Sequence, residues 1–186
     1  PLQQTVDTVK TGDPSRQVRG IVTTFLATCE VIEKAVQLGA NFIITHEPTF
    51  YDHWDRDPKA LSTPPALAKQ AWLERTGMAV YRCHDVWDRF PKIGIPDAWA
   101  DFLGLGPVVA GDAYHRVIAT PRVTAWELTT MVLERVRTLG EQAVLFSGAK
   151  DQMVSRVGIG TGAITNVQAM LALGADSILA TDDGTN

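Results

Sequence analysis

Two stretches decide how this chain is read: Leu38-Gly-Ala-Asn-Phe-Ile-Ile-Thr-His46-Glu47 and Leu173-Gly-Ala-Asp-Ser-Ile-Leu-Ala-Thr181-Asp182. Each closes a run of helical periodicity with Leu-Gly, enters an apolar β-type run and finishes on polar side chains. Glycine just past a helix is a stop signal, and the apolar run after it predicts a buried strand. In open α/β sheets, ligands bind beyond the carboxyl ends of the strands. The His46-Glu47 pair after one segment and the Asp182-Asp183 pair at the matching place in the other therefore predict a site built on two related lobes. Aligning the segments puts Val22-Thr23-Thr24 opposite Val157-Gly158-Ile159, so a duplicated strand–helix–strand unit is the expectation.

Working outward, Val18 to Leu26 reads as a strand buried on both faces, because it is apolar and β-branched. Ala27 to Gln37 reads as a helix and Asn41 to Thr45 as the next strand, parallel to the first through a right-handed crossover. Residues 46–65 read as a long polar loop, and Pro64 and Pro65 open a helix to Arg75 that Gly77 closes. Met78 to Arg82 reads as a strand running into Cys83-His84-Asp85-Val86-Trp87-Asp88, and Pro96 to Leu103 as a short helix. Beyond it, His115 to Thr120, Ala143 to Ser147, Val154 to Ile159 and Ser177 to Ala180 read as strands. A helix from Thr124 to Leu139, with Thr124 and Glu127 as a capping box, and one over Ile164 to Leu173 separate them. Strand–helix alternation assigns an α/β class with two lobes and mostly parallel sheets, divided as 1–112 and 113–186.

Composition limits the functions. The 186 residues carry 45% hydrophobic and 20% charged residues and a net charge of -4. That is an ordinary globular composition, and it lacks the basic patch of a nucleic-acid or acidic-membrane binder. No apolar run reaches the roughly 18 residues of a membrane span, and no signal-peptide pattern opens the chain. Cys29 and Cys83 make no disulfide framework, which favours a reducing cytoplasm. The chain starts at Pro1 and stops at Asn186 just after an expected strand, so a C-terminally truncated second lobe is expected. Trp54, Trp87 and Trp99 lie near the acidic and His-rich segments and could wall a site, although packing is the commoner use of buried aromatics.

Imidazole and carboxylate together are ligands for zinc, manganese or iron. His46-Glu47 and His84-Asp85-Val86-Trp87-Asp88 both follow strands, and parallel strands bring both clusters to one sheet edge. A metal site there is the reading, with Asp85 and Asp88 competing to bridge two ions of the kind used in hydrolysis. Asp52, His53, Asp55 and Asp57 read as a solvated loop, and His115 as structural. Gly158-Ile-Gly160-Thr-Gly162 precedes a helix, as anion-binding turns do, but Thr165 stands where the dinucleotide fingerprint has its third glycine. It reads as a tight turn. No Walker sequence, Gly-x-Ser-x-Gly or Cys-x-x-Cys is present.

These residues resemble a family. Ile21 to Phe50, with its helix and Leu38-Gly-Ala-Asn-Phe-Ile-Ile-Thr-His-Glu-Pro-Thr-Phe50, looks like the Nif-three-like dinuclear metal centre proteins, also described as type-two GTP cyclohydrolase homologues, whose pattern there is Gly-Ala-Asp-x-Ile-Ile-x-His-His-Pro. Tyr81 to Asp88 is similar to the family's Tyr-x-x-His-Thr-x-x-Asp, and Val157 to Gly162 with Gly174-Ala-Asp176 gives a third match in order. The resemblance implies two α/β lobes with a metal pair in the cleft and a toroidal hexamer. It implies His46 and Asp88 as metal ligands, with Asp88 bridging two divalent ions. Position 47 departs from the pattern: Glu47 replaces the usual His, and its carboxylate as a ligand would favour harder metals. The family's remaining ligands, a His and a Glu, fall beyond the last matching strand. The activity implied is hydrolysis of a nucleotide or other small molecule, with Glu47 or His84 moving protons. The alternative is a non-catalytic regulatory hexamer whose loop 46–65, with Phe50, Tyr51 and Trp54, meets partners. A plain nucleotide-binding module using Gly160 to Gly162 is a third.

Overall fold

A computed structural model describes residues 4–160, 162 and 166–180. It divides into two compact units, Pro1–Trp87 and Asp88–Asn186. The first contains β1 (Val9–Thr11), β2 (Ile21–Thr24), α1 (Cys29–Gln37), β3 (Phe42–Thr45), α2 (Pro58–Leu61), α3 (Pro64–Thr76) and β4 (Ala79–Arg82), and the boundary falls within the last turn of α4 (Asp85–Asp88). Its sheet has the order β1-β4-β3-β2. The pairs β2–β3 and β3–β4 are parallel, and β1 runs antiparallel to β4. The second unit contains α5 (Ile95–Leu103), β5 (Val108–Gly111), β6 (His115–Thr124), α6 (Ala125–Arg137), β7 (Met153–Gly160), α7 (Val167–Ala172) and β8 (Ser177–Leu179). Its sheet has the order β5-β6-β7-β8, with only β7–β8 parallel.

The α/β class and the two lobes stand, but parallel pairing dominates only the first sheet. In the second, β5 pairs antiparallel with β6 and Ala100 and Leu103 of α5 join the core against Ile118 and Val157. These contacts put residues 88–112 in the second unit, whereas the sequence reading placed its boundary after residue 112.

Helix ends follow from their residues. The Thr28 hydroxyl accepts from Val31 N at the start of α1. At its end, Gly39 adopts φ +71, its N–H reaches Val36 O, and Ala40 N–H reaches Ala35 O. The two bonds form a Schellman motif. The same motif closes α7: Gly174 has φ +89, its N–H reaches Leu171 O, and Ala175 N–H reaches Met170 O. The two Leu-Gly-Ala segments are thus the same device, each joining a helix to a strand that is parallel to the one before it. The capping box at Thr124 and Glu127 forms as expected.

Several expectations change. The Val18 to Leu26 run is not buried on both faces: β2 is an edge strand, with Ile21 56% and Phe25 67% exposed. Ala143 to Ser147 forms no strand, and Leu145 is fully exposed. Loop 46–65 contains α2, begun by the Asp57 side chain accepting from Lys59 N. β1 and β5 were not anticipated; each is short and sits in polar or turn-rich sequence. The last helix begins at Val167, capped by Asn166, and the expected start at Ile164 lies outside the described residues, as do Thr161, Thr165, Thr181, Asp182 and Asp183.

The first core gathers Ile32 and Ala35 from α1, Ile43, Leu73 and Val80. In the second unit, neighbouring residues of β6 face opposite layers. Ile118 joins α5 and α6, while Val117 meets Met170 and Ala175. Gly158 faces that second layer, where an added Cβ would lie 2.9 Å from Ala175 Cβ and 3.0 Å from Met170 Cβ.

A candidate metal centre at the ends of β3 and β4

The first sheet presents the carboxyl ends of two adjacent parallel strands, β3 and β4, side by side. Thr45 pairs with Arg82 in register, so the next residues of each strand emerge together. His46 follows β3, and its N–H is held by Thr24 O and Phe25 O. His84 lies two residues past β4, and Asp88 ends the helical turn that follows. One donor atom each from His46, His84 and Asp88 lie within 4.8 Å of one another, with Asp88 buried. The His46 and His84 rings stack with centroids 4.4 Å apart, and Phe25 stacks on the far face of His46 at 5.4 Å. His53 meets His84 edge-on at 5.9 Å.

The turn that carries His84 and Asp88 is pinned from a distance. Asp7 Oδ1 accepts from His84 N and Asp85 N at 2.7 and 2.9 Å, and its Oδ2 accepts from Val86 N at 2.9 Å. Asp85 in turn accepts from Val6 N and contacts His84 Nδ1 at 3.0 Å. Burial raises the Asp85 carboxyl, but the bonds from Thr5, Val6 and His84 outweigh it, leaving Asp85 below the usual carboxylate range. An anionic Asp85 fixes the ring of His84 and sets which nitrogen faces outward.

Beneath these residues lies Arg82, with no exposed surface. Its Nε donates to His46 O at 2.8 Å, and its Nη1 donates to His53 O. Its Nη2 faces Glu47 Oε2 at 3.7 Å. Burial lowers the Arg82 pKa, against the pull of Glu47 and the other nearby carboxylates. Burial, with Arg82 and His84 nearby, also disfavours protonation of His53.

Of the residues singled out from sequence, His46, His84 and Asp88 come together. Glu47 lies next in the chain, but its carboxylate turns to Arg82 and is not in the three-donor set. Asp85 is not in the set either and bears on it through His84. The loop acids have internal work: Asp55 accepts from Thr49 N and Phe50 N, and Asp52 accepts from Arg56 N and Asp57 N. Buried Lys69 donates to Thr49 O and closes the loop onto α3. His115 is buried, with its Nδ1 3.0 Å from Asp112 Oδ1. Gly158 and Gly160 belong to β7, with Gly158 closely packed, and the turn includes Gly162 at φ +56. Trp54 lies edge-on to His53 and under Arg56, whereas Trp99 packs in the second core. Arg82 and Asp7 were missed from sequence. Arg82 reads as an ordinary strand residue, and Asp7 acts across a separation of 77 residues.

The fold and the site define a class: a two-lobed α/β protein with a His-His-Asp cluster suited to a divalent cation at the strand ends of the first lobe. The Duf34/NIF3 (NGG1p interacting factor 3) family pattern matches residues 5–184, and the chain belongs to that family. It is 32% identical over 167 residues to a Nostoc protein named GTP cyclohydrolase 1 type 2 homolog, covering 83% of this chain and 60% of the relative. A Clostridium perfringens protein of the same name is 25% identical, with 92% of this chain and 66% of the relative covered. The chain therefore spans less than two thirds of the length of either relative. Among solved structures, it resembles a Staphylococcus aureus hypothetical protein with a TM-score of 0.76 at 18% identity, covering 94% of this chain and 71% of that one. A Bacillus cereus protein related to NIF3 gives 0.74 at 16% identity, with 97% and 78% covered. At these identities the structural likeness speaks for the fold.

Proposed function

We propose that the chain binds a divalent cation through His46, His84 and Asp88 and acts as a metal-dependent hydrolase on a nucleotide or other small molecule. The observation that carries the reading is the convergence of those three donors within 4.8 Å. Two imidazoles and one carboxylate suit zinc, manganese or iron. Such an ion supplies Lewis-acid activation of water near neutral pH. Asp85 holds the His84 ring, and Asp7 holds the turn that presents it. Glu47 stands beside the cluster, 34% exposed, with its carboxylate toward Arg82 at 3.7 Å. The family resemblance implies two ions, whereas the three-donor cluster accounts for one.

The names of the curated relatives support a cyclohydrolase-type reaction on a purine nucleotide as the first assay. Turnover of GTP or another nucleotide, abolished in Asp88→Ala with the circular dichroism unchanged, is the expected result. Turnover that survives Asp88→Ala would contradict it. The non-catalytic, regulatory alternative draws on the exposed apolar edge of the first sheet, where Val18, Ile21, Phe25 and Leu26 are 48%, 56%, 67% and 41% exposed. Such an edge invites pairing with another chain. It supports a homo-oligomer, with the hexamer implied by resemblance as the state to test by analytical ultracentrifugation. No described helix is long and apolar enough to cross a membrane.

A further inference from the structure

Arg82 has the demands of a buried cation and few ways to meet them. Two of its guanidinium nitrogens are committed to the carbonyls of His46 and His53. The third, Nη2, is buried without a hydrogen-bond partner, and Glu47 Oε2 at 3.7 Å faces it. A guanidinium keeps its charge at any physiological pH, and a buried charge left without a counter-ion is strongly destabilising. The other carboxylates nearby are already engaged by backbone N–H groups: Asp7 by the α4 turn, Asp85 by Val6, and Asp55 by Thr49 and Phe50. Asp55, Asp85 and Asp7 also favour the charged guanidinium, but Glu47 comes first among them and is the carboxylate whose oxygen faces Nη2.

Resting on the metal-binding reading above, we propose that Arg82 serves as the fixed positive charge beside the site. It holds Glu47 as its counter-ion, so Glu47 is not a ligand, and the His46–His84–Asp88 set takes one divalent cation per chain. Paired catalytic ions stand about 3.5–4 Å apart and share carboxylates. A second ion beside His46 would need Glu47, would strip Arg82 of its partner and would face the guanidinium's like charge. Arg82 is accordingly a positioning residue, acting through Glu47 and through the backbone that presents His46.

The test is Mn2+ binding by equilibrium dialysis and elemental analysis of the full chain, alongside Asp88→Ala, Glu47→Gln and Arg82→Met. One ion per wild-type chain, lost in Asp88→Ala, is expected. Its paramagnetic resonance spectrum should be that of isolated ions without exchange coupling. Glu47→Gln should keep the ion at unchanged affinity yet melt at a lower temperature, because Arg82 loses its counter-ion. Arg82→Met, if it folds, should release Glu47 toward the metal and raise the affinity or the count. Two ions per wild-type chain would overturn the inference while leaving the metal-binding reading intact. Loss of about 10-fold or more in affinity in Glu47→Gln, at unchanged secondary structure, would also overturn it. No ion in the wild type would overturn the metal-binding reading itself, and this inference with it.

Discussion

Asp85 bears directly on the orientation of the His84 ring. Asp85 contacts its Nδ1 at 3.0 Å and is itself held by Val6 N. Partners of this kind typically set ligand affinity by about 10–100-fold. Asp85→Asn is therefore expected to weaken Mn2+ or Zn2+ binding by about that factor while leaving the stoichiometry alone, as read by calorimetry. A second residue-scale prediction concerns acid stability. Arg116 grips Asp97 through Nε at 2.6 Å and Nη2 at 3.1 Å, and these bonds, helped by Lys92 N, hold the Asp97 carboxyl below its usual range. An unfolded aspartate takes up its proton near pH ~4, and the folded one does so only at lower pH. Between those values the unfolded chain binds more protons, so this contribution is complete above pH ~4 and fades as pH falls through the folded-state value. Asp97→Asn should be less stable than wild type to urea at pH 7, and the gap should narrow as the pH is lowered toward pH ~2. A gap independent of pH would contradict the assignment.

At the scale of elements, the strands nearest the chemistry were the most legible. β3, β4, α1 and α3 lie where apolar periodicity, Pro64 and Gly77 put them, because local signals and tertiary burial agree there. Reading failed where burial was decided by a distant partner. The Val18 to Leu26 run looked interior, yet β2 has only β3 beside it; Val22 packs against the first core while Ile21 stays exposed. The Ala143 to Ser147 run has the composition of a strand and no strand pairs with it. The site was partly legible: His46, His84 and Asp88 could be named from their place after strands, whereas Asp7 and Arg82 act through contacts that spacing does not encode. Gly158 had a sequence reading as part of a turn, but its physical role is packing. Gly158→Ala would push a methyl group against the Cβ atoms of Ala175 and Met170 and should cost about 1–3 kcal/mol by chemical denaturation. At the other helix of that unit, Thr124→Ala removes both the hydroxyl acceptor for Glu127 N and a partner for its carboxylate. It should cost about 1 kcal/mol, with α6 otherwise intact.

Over the whole molecule, each lobe repeats one strand–helix–strand device with the same Schellman cap, but the chemistry described lies at the first. The central claim is that His46, His84 and Asp88 hold a divalent cation. Anomalous diffraction from crystals grown with Zn2+, measured on both sides of the zinc edge, tests it most directly. An anomalous peak is expected among those three side chains, with Glu47 still turned to Arg82. Crystals whose protein binds zinc elsewhere, with no peak at this cluster, would contradict it.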